Sequence, residues 1–400
     1  MSVTRPSRVR GALSSSLRPL LLPSAIVAFE SAFYSAITPL LPTLKSEVGL
    51  GATGAGVVVA GYPGGMVLAA VAAGWLTSRQ GARRATVSGL SSLAIACLWF
   101  GWANDETSLV ASRILQGVGG ALCWTGVLAW VSGIAPDDRR ATAIGTTLGI
   151  GIIGVLVGPL LGLAAVQLGR VAVFLVVGAL AAIMAVLALH VAPDRRSSIR
   201  LRGMFSGLRG REAATALWVD ALTGLILGAA AALLPLRLAD LGFGSLILTL
   251  VFVGGGLLQA IVNPVAGHAV DRNGWRRPTL AGLLCSTVLL SLLGVLSSGA
   301  AVLVLTVLAL PSAAVLLTPA IATLERIVVG RGVPVAAAFT AGNLVWALGE
   351  AAGSAGGPWL MGMVTDGAPW FLLATLCCVT ATAIRPGAHV ARRRPTEESP

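Results

Sequence analysis

The feature that most constrains this chain is a succession of apolar segments, each long enough to cross a bilayer and separated by short loops. A transmembrane α-helix needs about 20 predominantly apolar residues, because the hydrocarbon core is about 30 Å thick and each helical residue adds about 1.5 Å. Twelve such segments are predicted, at residues 20–42, 54–76, 85–103, 108–134, 141–167, 171–192, 213–237, 244–268, 278–298, 300–324, 335–362 and 367–386. The chain is therefore expected to be an all-α membrane protein with about 12 transmembrane helices.

Composition supports this assignment. Hydrophobic residues make up 56% of the chain and charged residues only 11%, and the mean hydropathy is +0.88. So few charges could not cover a water-facing surface. The first apolar segment is too long for a signal-peptide core, so we interpret it as a retained first span.

Arginine placement predicts the orientation in the membrane. The net charge is +12, but the basic residues lie in short loops between apolar segments, which indicates topology and not nucleic-acid binding. Nearly all of them fall in one set of loops and in the two ends, whereas the other set of loops carries only Lys45, Arg170 and Arg237. Both termini and the long central loop are therefore expected in the cytoplasm.

The two halves of the chain repeat at an offset of 193 residues. Leu40-Leu41-Pro42 recurs at 233–235, and the glycines and arginines of the loop at 74–84 recur at 267–277. We therefore predict an N-terminal six-helix half at residues 1–192, a cytoplasmic linker at 193–212 and a C-terminal six-helix half at 213–400. Two repeated halves with a site at their interface are typical of alternating-access carriers.

Several enzyme classes are excluded by the residues themselves. Lys45 is the only lysine and follows Leu44, so the chain has no Walker A phosphate-binding loop. The cysteines and histidines show no metal-ligand spacing, and no nucleophile–base pair is evident. We expect no covalent chemistry, no metal and no bound cofactor.

The loop after the second span carries glycines for a tight reversal and arginines for the cytoplasmic headgroups. The first copy reads Gly74-Trp-Leu-Thr-Ser-Arg79-Gln-Gly81-Ala-Arg83-Arg84. The second copy contains Gly267, Asp271, Arg272, Gly274 and Arg276. Two further motifs follow in order: Arg113-x-x-Gln116-Gly117 in span four, and Gly154-x-x-x-Gly158-Pro159-x-x-Gly162 in span five.

Together these motifs resemble those of the major facilitator superfamily, and more narrowly its twelve-span drug:proton antiporters. The resemblance implies two six-helix halves related by a pseudo-two-fold axis, a small-molecule substrate, protons as the coupling ion and a monomer in the bilayer. Ser78 departs from the acidic residue that the superfamily places there, so the latch between halves is expected to be weaker or built differently. The glycines of span five resemble an antiporter signature, although close helix packing alone also explains them.

Four ionisable residues lie inside predicted spans, where charge is costly and usually functional: Glu30, Arg113, Asp220 and Glu350. We expect them to bind protons or substrate, because an apolar surrounding disfavours the charged form of a carboxyl group. In the superfamily, spans one, four and seven line the central cavity, which implies that Glu30, Arg113 and Asp220 face one another. Structural roles stay open for Arg113, for Glu350 as a helix contact, and for Asp220 as a water-accessible group.

Polar and aromatic residues in the spans are candidates for the cavity wall, each with packing or interfacial placement as the alternative. They are Tyr34, Tyr62, Trp124, Trp218, Gln259, Asn263, Asn343 and Trp346. An otherwise apolar pocket with a few carboxylates suits lipophilic cations better than sugars, which need many hydrogen-bonding groups.

The leading functional hypothesis is a secondary transporter that exports lipophilic or cationic small molecules, driven by the proton gradient. A proton-coupled uptake or exchange carrier for a metabolite is the alternative within the same fold. A non-transporting membrane sensor or scaffold is the alternative of another class, although a scaffold has no need of buried charges. The abundance of arginine, alanine and glycine suggests a bacterial plasma membrane.

Overall fold

The structure is a computed structural model that describes residues 7–136, 140–190, 208–332 and 335–384. In these ranges the chain forms thirteen helices and no strand. Their bounds are α1 Ser7–Ser35, α2 Ile37–Val48, α3 Ala52–Gln80, α4 Ala82–Trp102, α5 Glu106–Ile134, α6 Arg140–Leu168, α7 Arg170–His190, α8 Arg211–Asp240, α9 Ser245–Asn273, α10 Arg276–Val295, α11 Gly299–Gly330, α12 Val335–Met363 and α13 Ala368–Ile384.

The helices confirm the predicted all-α membrane fold with about twelve spans. Within the described ranges, ten helical stretches are long and apolar enough to cross a bilayer, the first of them Pro19–Val48, which joins α1 to α2. Helix α12, of 29 residues, and the shorter apolar α13, of 17 residues, complete the series. Of the predicted linker at 193–212, the part up to residue 207 lies outside the described residues.

Proline shapes the first span. The helix breaks at Ala36, between α1 and α2. Pro39 has no N–H to donate to the carbonyl of Ser35, four residues earlier, so the hydrogen-bond ladder is interrupted at this point. Ala36 keeps right-handed helical geometry, with a φ of −62° and a ψ of −22°, so α2 continues the same span.

Each half has its own hydrophobic core. One buried cluster is drawn from α1–α7, here called the N-terminal half, together with Ala232 and Leu236 of α8. A second is drawn from α8–α13, the C-terminal half. Trp130 and Trp370 are buried in these cores, with 2% and 1% of their surface exposed.

Glycines bring helices of one half into backbone contact. In the C-terminal half, Gly224 and Gly228 of α8 lie against the backbone of α12 at Trp346 and Glu350. Small residues allow such close approach, which van der Waals contacts then stabilise in the bilayer. This packing fixes the face of α12 that carries Glu350.

The halves also meet one another. Gly56 of α3 packs against Ser354 and Pro358 of α12, and Thr249 of α9 donates a long hydrogen bond of 3.5 Å to the carbonyl of Pro159 in α6. These contacts lie near the end of the molecule that carries the α2–α3 and α8–α9 loops. A cavity of about 260 Å³ separates α2 from α8 and α9 there, lined by Pro39, Phe243 and their neighbours.

The repeated loop motif forms two equivalent turns. Gly81 has a φ of 94° and Gly274 a φ of 71°, in the left-handed region that favours glycine. Arg79 lies 5.9 Å above the ring of Trp75, and Arg276 lies 5.6 Å above the ring of Trp275. Gly81 and Gly274 are therefore favoured by the backbone conformation of the turns, whatever part the loop plays in the transport cycle.

Candidate functional site

Two buried carboxylates lie at the centre of the molecule, where α1, α3, α5 and α12 meet. Glu30 and Glu350 each expose only 1% of their surface. Glu30 is held by the N-terminal half: Tyr62 donates a short hydrogen bond to its Oε1, and Trp124 Nε1 donates to its Oε2 at 2.7 Å. These two donors occupy both of its carboxylate oxygens.

Glu350 is held differently. The hydroxyl of Tyr34 in α1 donates a short hydrogen bond to Oε1 of Glu350 in α12, so this bond joins the two halves of the protein. Oε2 of Glu350 is buried and has no hydrogen-bond partner in the described part of the chain. The carboxylate is therefore half-satisfied, a state that costs free energy in a low-dielectric surrounding.

Aromatic rings enclose the carboxylates. The rings of Tyr34 and Tyr62 lie 4.6 Å apart, centroid to centroid, and that of Trp346 meets Tyr34 edge-on at 6.5 Å. The face of an aromatic ring carries partial negative charge, which attracts organic cations. The sequence-based candidates Tyr34, Tyr62, Trp124 and Trp346 thus come together around Glu30 and Glu350. We name these six residues the carboxylate cluster.

Arg113 supplies the positive charge beside this cluster. Its guanidinium lies 5.4 Å above the ring of Tyr62 and donates a short hydrogen bond to Oε1 of Gln116. Its Nε and Nη2 have no partner among the described residues. The side chain is 1% exposed, so its charge acts on both carboxylates through a medium that screens it weakly.

Asp220 does not join the cluster. Its carboxylate lies beside Gly342 of α12, eight positions before Glu350, which corresponds to about 12 Å along the helix axis. Both oxygens are buried without a hydrogen-bond partner among the described residues. The expectation that Glu30, Arg113 and Asp220 face one another is therefore not met by Asp220, whose oxygens bond to neither residue and lie beside α12.

The remaining cavity candidates lie elsewhere. Trp218 is 46% exposed and donates from Nε1 to the hydroxyl of Thr380 in α13 at 2.9 Å. Asn343 is exposed, and Gln259 and Asn263 are half-buried on α9. These four side chains do not contribute to the hydrogen bonds and ring contacts described for the carboxylate cluster.

The glycines of the span-five motif have a structural function in the fold. Gly154, Gly158 and Gly162 of α6 lie successively against the backbone of the first span at Ala28, Ala32 and Ala36. A side chain at any of them would collide with that backbone. The motif therefore brings α6 against the helix that carries Glu30 and Tyr34, and this packing alone accounts for its glycines.

Comparisons with known proteins agree on the fold. The family model described as Major Facilitator Superfamily matches residues 24–350. A crystal structure of a bacterial homologue of the human lysosomal transporter Spinster, inward-facing and unoccupied, superposes with a TM-score of 0.72 at 16% identity, covering 96% of this chain and 93% of that one. The nucleoside transporter NupG gives a TM-score of 0.71 at 13% identity, covering 92% and 98%.

Among curated relatives, Multidrug resistance protein 1 of Bacillus subtilis is 26% identical over 298 residues, which cover 72% of this chain and 76% of that protein. The MFS-type transporter ppzB of Metarhizium rileyi is 33% identical over 144 residues, 36% of this chain. The matched part spans only 29% of that relative's length.

Proposed function

The chain belongs to the major facilitator superfamily and is a multi-pass membrane transporter, and from this premise we propose that it exchanges protons for lipophilic organic cations by alternating access. The observation that carries the proposal is the carboxylate cluster, in which two buried acids and four aromatic rings lie between the halves. No covalent step is needed for this activity.

The chemistry of the cluster favours a cationic substrate with apolar substituents. A carboxylate supplies the opposite charge, and the rings of Tyr34, Tyr62 and Trp346 supply cation–π contacts and apolar area. A sugar or another polyol would leave its hydroxyl groups without partners against these rings. The name of the Bacillus subtilis relative, a multidrug resistance protein, agrees with drug-like small molecules as substrates.

Proton coupling follows from competition for the same carboxylate. An ionised acid buried among apolar residues costs several kcal/mol unless a cation neutralises it. A proton and an organic cation both remove this cost, and each excludes the other from the same oxygen. On one side of the membrane the site binds a proton and releases the organic cation, and on the other side it does the reverse. The proton gradient then drives the exchange.

Alternating access requires the contacts between halves to open. In this structure Lys45 of α2 approaches Asp240 of α8 at 4.0 Å, beside the 260 Å³ cavity. From the arginine distribution we propose that this end faces away from the cytoplasm, that both termini are cytoplasmic, and that the membrane is a bacterial plasma membrane. Export is then the direction in which the proton gradient drives the substrate.

The single lysine provides a reporter for this motion. The Lys45 side chain is 35% exposed here, and separation of α2 from α8 would expose it fully. We expect its reaction with an amine-directed reagent, read from the Lys45 peptide by mass spectrometry, to rise about threefold when a substrate gradient turns the site outward. In Asp240→Asn the rate in the resting protein should already be higher. Equal labelling in all conditions would contradict an opening at this end.

Everted membrane vesicles energised to be acid inside test the proposed function. Tetraphenylphosphonium is expected to collapse the pH gradient in wild type, whereas Glu30→Gln and Glu350→Gln should slow the response at least tenfold, because each removes a buried charge of the cluster. Ser354→Ala, one turn beyond Glu350 on α12, is the matched control and should behave as wild type.

Two other results would each replace the proposed function with an alternative. If tetraphenylphosphonium leaves the gradient unchanged in wild type while a neutral metabolite changes it, the chain is an uptake or exchange carrier. If neither ligand changes the gradient in protein shown to be folded, the sensor or scaffold hypothesis takes the place of transport.

A further inference from the structure

The two carboxylates of the cluster differ in how their oxygens are used. Both oxygens of Glu30 accept hydrogen bonds, from Tyr62 and from Trp124, and both donors belong to the same half as Glu30 itself. Hydrogen bonds donated to a carboxylate favour its ionised form, so the two donors to Glu30 oppose its protonation. Glu30 is therefore a fixed part of the N-terminal half.

Glu350 has an open position. Its Oε1 accepts from Tyr34, but Oε2 is fully buried and has no partner among the described residues. A buried, unpaired carboxylate oxygen is stabilised only when something positive reaches it. The side chain can thus accept one additional group, and the ring of Trp346, one helical turn earlier, packs edge-on against Tyr34, the donor to Oε1.

The charged groups around Glu350 determine how much positive charge its free oxygen can take up. The charged groups that act on Glu350 are Arg113 of α5 and Glu30 of α1, together with the hydroxyl of Tyr34. From α8, the buried acid Asp220 lies beside Gly342 instead. Arg113 donates its hydrogen bond to Gln116 and makes none to Glu350 among the described residues, so Oε2 can take up one positive group, a proton or a monovalent cation, whether or not Glu30 is charged.

Glu350 is also the acid that forms a hydrogen bond between the two halves. Its bond to Tyr34 joins α12 to α1, whereas all the hydrogen bonds of Glu30 stay within the N-terminal half. A bond from a neutral donor strengthens when its acceptor is ionised and weakens when the acceptor is protonated. Occupancy of Oε2 therefore changes a contact that holds the halves together at mid-membrane.

We propose that Oε2 of Glu350 is the position at which the proton and the substrate cation replace one another, about one proton for each monovalent cation, and that Glu30 is a positioning residue. This assignment rests on the proposed exchange of protons for cations and adds which acid performs it. When the cation arrives, the O–H bond at Glu350 breaks, the proton leaves to solvent and the carboxylate keeps the electron pair. The exchange of a monovalent cation is then electroneutral.

The test measures proton release and binding on the same purified protein. Wild type in weakly buffered detergent solution receives saturating tetraphenylphosphonium, a pH dye counts the protons released, and equilibrium dialysis counts the cation bound. We expect about one proton per bound cation in wild type and in Ser354→Ala. Glu350→Gln should release none, and its residual cation affinity should no longer depend on pH.

Glu30→Gln supplies the decisive contrast. It should bind the cation more weakly but still release about one proton for each cation bound. Should Glu30→Gln fail to fold, Trp124→Phe removes one of the donors to Glu30 without contacting Glu350 and is expected to retain the release. Folding of each variant is checked by gel filtration and thermal unfolding.

The outcomes separate the two proposals. If Glu350→Gln still releases a proton while Glu30→Gln releases none, the assignment to Glu350 is overturned and proton–cation exchange stands. If wild type binds the cation and releases no proton, exchange itself is overturned. Release of about two protons per cation in wild type would also overturn the single-site assignment.

Discussion

Replacing Arg113 with glutamine is expected to slow tetraphenylphosphonium-driven proton exchange about 100-fold, which corresponds to about 2.7 kcal/mol. Arg113 is 1% exposed and is the positive charge that acts on both Glu30 and Glu350. Its removal leaves two buried carboxylates without a counter-charge, and loss of one partner from a buried charged group typically costs 3–5 kcal/mol. Both carboxylates should then hold protons, so the cation cannot displace them. Initial exchange rates in everted vesicles, normalised to the amount of folded protein, measure the effect.

A second substitution separates charge balance from shape. Because Arg113→Gln leaves both buried carboxyl groups without a counter-charge, adding Glu350→Gln removes one of the two and should restore part of the lost thermal stability, although not transport. Arg113→Lys keeps the charge but loses the planar group that lies over Tyr62, and should show intermediate transport. If the double variant is less stable than Arg113→Gln alone, by an amount that simply adds the two single effects, Arg113 is not balancing Glu350.

Leucine at Gly349 is expected to prevent stable packing of α8 against α12 and with it recovery of folded protein. A Cβ at Gly349 would lie 2.9 Å from the carbonyl carbon of Ala221 and would overlap its oxygen, and backbone cannot move aside as a flexible side chain can. Overpacking of this kind costs about 3 kcal/mol. Detergent-solubilised protein should show a lower unfolding temperature and a smaller monodisperse peak than wild type.

Gly356 provides the matched control on the same helix. No atom lies within 4 Å of a Cβ built at this position, so Gly356→Leu should retain wild-type stability. Its side chain would enter the apolar groove formed by α8, α12 and α13. Equal destabilisation by both substitutions would show that α12 tolerates no leucine in general, and would remove the argument from the Gly349 contact.

The sequence predicted the helices because their cause is local. Span length, apolar content and arginine-rich loops are properties of consecutive residues, and the bilayer requires every backbone group to be paired within a helix. The turn glycines Gly81 and Gly274 could also be identified from the sequence, because the repeated loop motif is a local pattern. Glu30, Arg113 and Glu350 could be selected as candidates because a charge within an apolar segment is costly wherever the segment packs.

The partners of those charges could not be predicted in the same way. Tyr34 and Glu350 are separated by 316 positions, and only the packing of the two halves brings them together. The resemblance to the superfamily implied that Asp220 faces Glu30, yet Asp220 lies beside Gly342. Trp218 is a cavity candidate by composition, but its face of α8 turns toward Thr380 of α13.

The sequence by itself thus determined the fold class, the spans and the small set of buried ionisable residues, since each follows from the free energy of placing a segment in lipid. The tertiary structure alone decided that both oxygens of Glu30 are occupied and that Oε2 of Glu350 is open. The physical reason is that hydrogen-bond occupancy depends on the rotation and depth of each helix relative to its neighbours. Those quantities are set by contacts such as Gly228 against Glu350, between residues far apart in the chain.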